Sequence, residues 1–317
     1  MSHFTATDMM SLWKGRQDPE PNSTRWHQII QAIDLDKPAG VALLGFACDA
    51  GVRRNKGRVG AALGPHALRQ QLINLPWLQS NPLYECGDIV CVEDALEQAQ
   101  VDFAENITHL LDQGHFPIGL GGGHEIAFAS WSGLSNHLKK SEATPRIGII
   151  NFDAHFDLRD PNCQLTSSGT PFAQIAEVCA HHHWKFQYAC LGVSRMSNTP
   201  ALFERADRLK VWYQEDLQMT SKDLPNLQAQ LERFMDQCDH LYLTIDLDVF
   251  PAAQAPGVSA PAARGVSLEV IEPLLMQIRD SGKLRLMDLA ELNPEFDQDA
   301  HTARLAARLV HQITLNR

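Results

Sequence analysis

Short runs of apolar, often β-branched residues recur along the chain: Val41–Phe46, Pro117–Leu120, Arg146–Phe152, Tyr188–Val193, Lys210–Trp212, Leu241–Ile245 and Leu284–Leu289. Such runs predict strands buried on both faces. Between them apolar positions return at the helical period. In Asp94–Gln113 the residues Leu96, Val101, Phe103, Ile107, Leu110 and Leu111 trace one face, and Gly114 stops the helix. Phe172–Ala180, Lys222–Met235, Leu268–Arg279 and Asp299–Ile313 carry the same pattern. Ser267 before Leu268, and Thr199 before Pro200 at a first helical position, fit as N-caps. Strands alternating with helices predict an α/β fold whose parallel sheet is covered on both faces. No linker, charge block or repeat divides the 317 residues, so the expectation is a single domain over 1–317, with residues 1–40 an N-terminal extension packed on it.

The candidate chemistry follows three of these runs. Asn151-Phe-Asp-Ala-His-Phe-Asp157 continues the run that ends at Ile150. If its backbone stays extended, side-chain alternation points Asp153, His155 and Asp157 the same way. Leu241–Ile245 leads into Asp246-Leu-Asp248, and Pro117–Leu120 into Gly121-Gly-Gly-His124-Glu125. Two histidines and four aspartates therefore stand at the carboxyl ends of predicted strands, the edge where such sheets bind ligands. One Asp-x-Asp after a strand can be a cap or a loop contact with solvent. Three ionisable groups on a buried strand are costly unless paired, which points to metal. The glycines fit a turn in which backbone crowds the site.

Carboxylate oxygen with some imidazole suits a hard dication such as Mn²⁺. Four carboxylates balance two dications. Zinc sites more often use thiolate or several histidines, and no cysteine is near these motifs. Two ions about 3.5–4 Å apart can share a water and lower its pKa until hydroxide exists near neutrality.

Composition narrows the class. A net charge of −11 with scattered lysines and arginines gives no basic stripe for nucleic acid or an anionic bilayer. The seven cysteines form no Cys-x-x-Cys pair, and several lie in apolar runs, as Cys190 does, which fits reduced thiols in a cytoplasmic protein. No basic segment leads an apolar core at the N-terminus, and no eighteen successive residues are apolar, so neither secretion nor membrane insertion is expected. His181-His182-His183 closes a helix and reads as a solvated face. Gly121–Gly123 lacks the spacing and downstream acid of a dinucleotide fingerprint, and no Gly-x-Ser-x-Gly elbow occurs.

The ordered set Gly-Gly-Gly-His124, Asp153-x-His155-x-Asp157, Asp246-x-Asp248 and Glu291 resembles the ureohydrolase family of arginases, agmatinases and formimidoylglutamases, from about residue 40 onward. The resemblance implies an arginase-like three-layer α/β/α sandwich with a central parallel sheet, forming one ureohydrolase-like catalytic domain. It also implies two Mn²⁺ ions per subunit. His124, Asp153, Asp157 and Asp246 would hold one ion and Asp153, His155, Asp246 and Asp248 the other. Asp153 and Asp246 would bridge, holding a metal-bridging hydroxide as nucleophile. Glu291 matches the carboxylate that recognises a guanidinium or amidine. Family members are often homo-oligomers.

Departures from arginases sharpen the resemblance. Gly123 and Glu125 stand where arginases have Asp and Ser, and Thr166-Ser-Ser-Gly-Thr-Pro-Phe172 lacks the histidine of their shuttle loop. That loop, Asp246-Leu-Asp-Val-Phe-Pro251, Ala255-Pro-Gly-Val-Ser-Ala-Pro261 and Gly51-Val-Arg-Arg-Asn-Lys-Gly-Arg58 look like the formimidoylglutamase branch. The implied substrate is an acidic amidine, N-formimidoyl-L-glutamate, hydrolysed to glutamate and formamide in histidine breakdown. Arg159 stands where arginases put asparagine. With Arg58, Arg195 and Ser168 it is a candidate contact for that substrate, and Arg53 and Arg54 lie in the same predicted rim. Each arginine has the alternative of a surface ion pair. Asp157 and Asp248 are candidate relays to the leaving nitrogen. The competing readings are a guanidino hydrolase of the agmatinase or arginase type, which would release urea, and a metal-binding protein without turnover.

Overall fold

In this computed structural model residues 5–34 and 36–315 are described. Among them nine strands form one sheet: β1 Gln31–Ala32, β2 Val41–Ala47, β3 Leu83–Val90, β4 Phe116–Leu120, β5 Ile147–Phe152, β6 Gln187–Val193, β7 Trp212–Glu215, β8 His240–Asp246 and β9 Leu284–Ala290. Their order is β1-β3-β2-β4-β9-β8-β5-β6-β7, and every pairing is parallel. The expected three-layer α/β/α architecture is present.

Alternation along each strand feeds two cores. Ile150 and Phe152 join one apolar cluster, whereas Ile147 and Ile149 join the other; Leu243 and Ile245 part from Tyr242 in the same way. The helices Gly64–Leu72, Leu224–Met235, Leu268–Asp280 and His301–Thr314 cover the first face. Leu96–Asp112, Ile126–Leu138, Pro171–His181 and Pro200–Arg208 cover the second. Thr199 and Ser267 occupy N-cap positions with extended backbone, but neither side chain bonds to its helix. The exposed His181–His183 run does end a helix.

The strand expected over Lys210–Trp212 lies at Trp212–Glu215, and β3 has no counterpart in the apolar pattern. β3 is masked by charge: Glu85 is fully buried on it and Asp88 nearly so. Both face Arg69, itself fully buried on Gly64–Leu72. Arg69 donates Nε and Nη2 to the Glu85 carboxylate at 2.8 and 2.7 Å, and its Nη1 lies 2.7 Å from Asp88 Oδ1. The Trp13 indole N–H donates to the same Glu85 at 2.9 Å, fastening the N-terminal segment onto β3. Buried Trp26 stacks edge-on against Trp77 at 5.3 Å, a second anchor for that segment.

Arg69→Met removes the guanidinium that pairs with both Glu85 and Asp88. Stranding buried carboxylates in this way is expected to cost about 3–5 kcal/mol in a urea titration at neutral pH. A loss below about 1 kcal/mol would show that the network is solvated in the native protein.

Candidate metal centre and substrate cavity

Four adjacent strands, β4-β9-β8-β5, release the motif residues at their carboxyl ends. His124 follows β4, Glu291 follows β9, Asp246 ends β8 with Asp248 just beyond, and Asp153 follows β5. The glycine turn is dictated by crowding. A Cβ on Gly122 would lie 1.8 Å from the Cys48 carbonyl oxygen, and one on Gly121 would lie 2.1 Å from that of Leu289. Gly121 N–H donates to Leu289 O, Gly123 N–H to Cys48 O, and Glu291 N–H to Gly122 O, at 2.8–2.9 Å. This lacing delivers His124 and Glu291 to one spot, and His124 N–H donates to Glu291 Oε1 at 3.0 Å.

The six expected ligands converge. His124 Nδ1 lies 2.9 Å from Asp157 Oδ2, 3.1 Å from Asp153 Oδ2 and 3.3 Å from Asp246 Oδ2. His155 Nδ1 lies 2.9 Å from Asp248 Oδ2 and 3.5 Å from Asp153 Oδ1. Two donor groups result: His124, Asp153, Asp157 and Asp246; and Asp153, His155 and Asp248. Asp153 belongs to both and turns one oxygen to each. Asp246 falls in the first group, and its Oδ1 accepts from the N–H of Asp248, a member of the second, at 2.8 Å.

The way the Asp153–Asp157 segment converges differs from the expectation. β5 ends at Phe152, and the chain turns instead of staying extended. His155 N–H folds back onto Asp153 Oδ1 at 2.6 Å, and Asp157 adopts left-handed backbone at φ 47°. Glu291 does likewise at φ 69°. Non-glycine residues held there cost about 1–3 kcal/mol each and persist where surroundings over-determine them, commonly at functional sites.

Four acidic groups and two imidazoles meet here; Asp153 is fully buried and Asp246 and Asp248 almost so. Burial pushes Asp246 well above the usual carboxylate range, with repulsion from Asp248 and Asp153 adding to it. Burial, then Asp153, pushes Asp157 up to about 6. Burial also works against Asp153, but hydrogen bonds from His124 and His155 hold it below the ordinary range. For His124, burial favours the neutral ring, yet Asp153, Asp157 and Asp246 together raise it well above 6.5. Burial acts the same way on His155, and Asp248 and Asp153 outweigh it. The bare cluster thus retains protons to offset its own charge. Four carboxylates and two imidazole nitrogens, with no thiolate in either group, suit a hard dication.

The cluster floors a cavity of about 310 Å³. His155, Asp157, Asp246, Asp248 and Glu291 line it, under walls that include Asn55, Lys56, Arg58, Arg159, Ser168 and Asn198. A larger groove of about 520 Å³ between residues 39–41 and 279–282 lies at the strands' opposite ends and holds none of the motif residues.

The arginines separate sharply. Arg195 forms a two-pronged ion pair with Glu215 at 2.6 Å and does not line the cavity. Arg54 is held by Glu97, Asp94 and the Thr166 carbonyl, and Arg53 by Asp49. Arg58 lines the cavity, but it donates to the carbonyls of Ser259 and Val258 and lies 3.9 Å over the Phe296 ring. Arg159 also lines the cavity, and its guanidinium has no partner among the described residues. Ser168 lines the cavity too, its hydroxyl accepting from Asn55 Nδ2 at 3.2 Å.

Residues 39–315 match the model of the arginase family. The chain belongs to the arginase family. A formimidoylglutamase of Aeromonas hydrophila is 58% identical over 317 residues, 99% of each chain. The solved formimidoylglutamase of Bacillus subtilis superposes with a TM-score of 0.82 at 22% identity, covering 95% of this chain and 94% of that one. A Trypanosoma cruzi formiminoglutamase variant solved with Mn²⁺ superposes at 0.76 with 25% identity, covering 87% and 92%.

Within this arginase-family site, three supporting residues escaped the sequence reading. Asn151 Nδ2 donates to Asp153 Oδ2 at 2.9 Å, and Thr244 Oγ1 contacts His124 Nε2 at 3.0 Å, leaving Nδ1 toward the acids. Each stands two residues before a bridging aspartate candidate, on the same strand face, and that spacing is the signal that could have found them. Glu125 is the third. Fully buried and pushed up to about 7 by that burial, it accepts from Gly51 N–H at 2.8 Å and so ties the 50–54 helix to the glycine turn.

A metal must displace the protons that the raised His124, His155 and Asp246 hold in the bare site. At pH 7, Mn²⁺ binding to metal-stripped protein is expected to release at least about one proton per chain. Calorimetry in two buffers of different ionisation enthalpy measures this, and a count of zero would show that both rings were already neutral.

Proposed function

We propose that this chain hydrolyses N-formimidoyl-L-glutamate to L-glutamate and formamide, as a two-manganese hydrolase of linear amidines acting in histidine degradation. The observation that carries the reading is the composition of one cavity: an acid and imidazole floor, Glu291 beside it, and above it an arginine with no protein counter-charge. Full-length identity of 58% to a formimidoylglutamase supports the same substrate.

Two Mn²⁺ ions would be held by His124, Asp153, Asp157, Asp246, His155 and Asp248, and their chemistry is to make water acidic enough to ionise near neutrality. Glu291 orients the substrate. Its Oε1 is occupied by His124 N–H, and its buried Oε2 has no partner among the described residues, leaving that oxygen for an amidine N–H. Burial, reinforced by Glu125 and Asp248, raises Glu291 well above the usual carboxylate range, so a cationic formimidoyl group gains by restoring its ionised form. Arg159 offers a planar fork to a carboxylate, which agmatine lacks. Ser168 supplies a hydroxyl to the same wall. The 166–170 loop brings no histidine to the cavity, and the one histidine lining it is His155. Proton delivery to the leaving nitrogen therefore falls to Asp157 or Asp248, both of which line the cavity.

No helix among the described residues is long and apolar enough to cross a membrane. Seven free thiols support a reducing, cytoplasmic setting.

Asp153→Ala and Asp246→Ala should each lower kcat/KM for formimidoylglutamate more than about 100-fold and reduce bound manganese. Product analysis should find formamide. Urea released from agmatine or arginine at a higher rate would replace the substrate assignment, and full turnover by either variant would refute the ligand assignment.

A further inference from the structure

Three cations line the site cavity: Lys56, Arg58 and Arg159. Arg58 is committed to backbone carbonyls and to Phe296. Lys56 and Arg159 make no side-chain hydrogen bond or ion pair among the described residues. An excess of two unpaired cations over a strongly acidic floor matches a ligand with a cationic head and two carboxylates.

The backbone at Lys56 makes it more than an incidental surface lysine. The helix Ala50–Arg54 ends in a Schellman turn: Gly57 N–H donates to Val52 O at 2.9 Å and Lys56 N–H to Arg53 O at 3.0 Å. The residue just past the C-cap of such a turn takes left-handed backbone and is usually glycine. Here it is Lys56, at φ 63°. The neighbouring glycine is Gly57, needed for a different reason: a Cβ there would lie 2.6 Å from Ser259 Oγ. The chain thus keeps a lysine where the fold favours no side chain. The turn is also fixed in place, by Glu125 at its helix's start and by Arg58 N–H donating to Ser259 Oγ at 2.9 Å just after it.

We propose that Lys56 is a specificity-determining residue that holds the substrate's side-chain carboxylate, while Arg159 takes the α-carboxylate. The assignment rests on the formimidoylglutamate reading above. Arg159 stands two residues from the ligand Asp157, no more than about 7 Å along the backbone, and its stem packs against Gly169, where a Cβ would lie 2.8 Å from its Cδ. That keeps its fork beside the reacting end, next to which the α-carboxylate is attached. Lys56 approaches from another wall on a long, unpaired stem that suits the more distant carboxylate.

The test compares N-formimidoyl-L-glutamate with N-formimidoyl-L-glutamine, in which the side-chain carboxylate is a neutral amide of the same shape. The manganese-loaded native enzyme should prefer the first by about 10- to 100-fold in kcat/KM, the range of one charge-assisted contact. In Lys56→Met the preference should shrink to within about threefold, with the loss in KM and not in kcat. Arg159→Met should lose activity on both compounds and keep the preference. Lys56→Gly should also lose the preference, yet melt at a higher temperature than the native protein because glycine accepts the left-handed turn. That combination separates a binding role from a structural one. No preference in the native enzyme, an undiminished preference in Lys56→Met, a preference lost in Arg159→Met, or a lower melting temperature for Lys56→Gly would each overturn the proposal. Turnover of neither formimidoyl compound, with urea released from agmatine, would instead overturn the function on which it rests.

Discussion

Charge that cannot be left alone governs this structure. Asp153, Asp157, Asp246 and Asp248 sit within hydrogen-bond reach of two imidazoles, at strand ends largely closed to water. Burying even one uncompensated carboxylate costs several kcal/mol, and a whole domain is stable by only about 5–15 kcal/mol. The cluster therefore has to recruit positive charge. Without metal it does so with protons, raising its histidines and most of its acids; bound dications would let the same donors stay ionised. The site and the stability of the fold are in this sense one electrostatic problem.

Topology explains why that problem arises in one place. β4 and β5 are consecutive in the chain, but β9 and β8 are inserted between them in the sheet. The cluster residues 124, 153–157 and 246–248, with Glu291, thus issue from neighbouring strands although up to 167 residues separate them, the span of the His124–Glu291 hydrogen bond. The glycine turn is shaped by the backbone of both flanking strands, through Cys48 O and Leu289 O. The last strand in sequence must dock before His124 and Glu291 acquire their geometry, so the centre is assembled by completed tertiary structure and not by any local motif.

Legibility in the sequence followed how local each determinant is. Apolar runs announced most buried strands because those strands have core on both faces. β3 escaped because Glu85 and Asp88 read as surface, and only Arg69, brought in from a helix, makes their burial tolerable. Ile126–Leu138 escaped for a related reason. Buried on nearly every side, with Ser130, Gly133 and Ser135 inside, it shows no clean apolar stripe. All six residues of the candidate cluster were readable from spacing, yet the route to Asp157 was not, since a left-handed turn after Asp153 replaces strand alternation.

The arginines show the limit most clearly. From sequence, Arg58, Arg159 and Arg195 were candidate substrate contacts, with Arg53 and Arg54 in the same predicted rim. Their roles were settled by partners far away: Glu97 for Arg54, Glu215 for Arg195, the Val258 and Ser259 carbonyls for Arg58. A guanidinium already bonded to a carboxylate adds little attraction for a second anion, because pairing cancels most of its field. What discriminates a substrate is the cation whose nearest acid is missing, and that is a property of the three-dimensional pairing of charges. Arg159 has its backbone N–H fixed to Gly169 O at 2.9 Å, while its side chain lines the cavity without a partner among the described residues. Net charge of −11 says nothing about such a residue. An acidic protein can select an acidic ligand when the few cations at one cavity are the ones its own carboxylates leave alone.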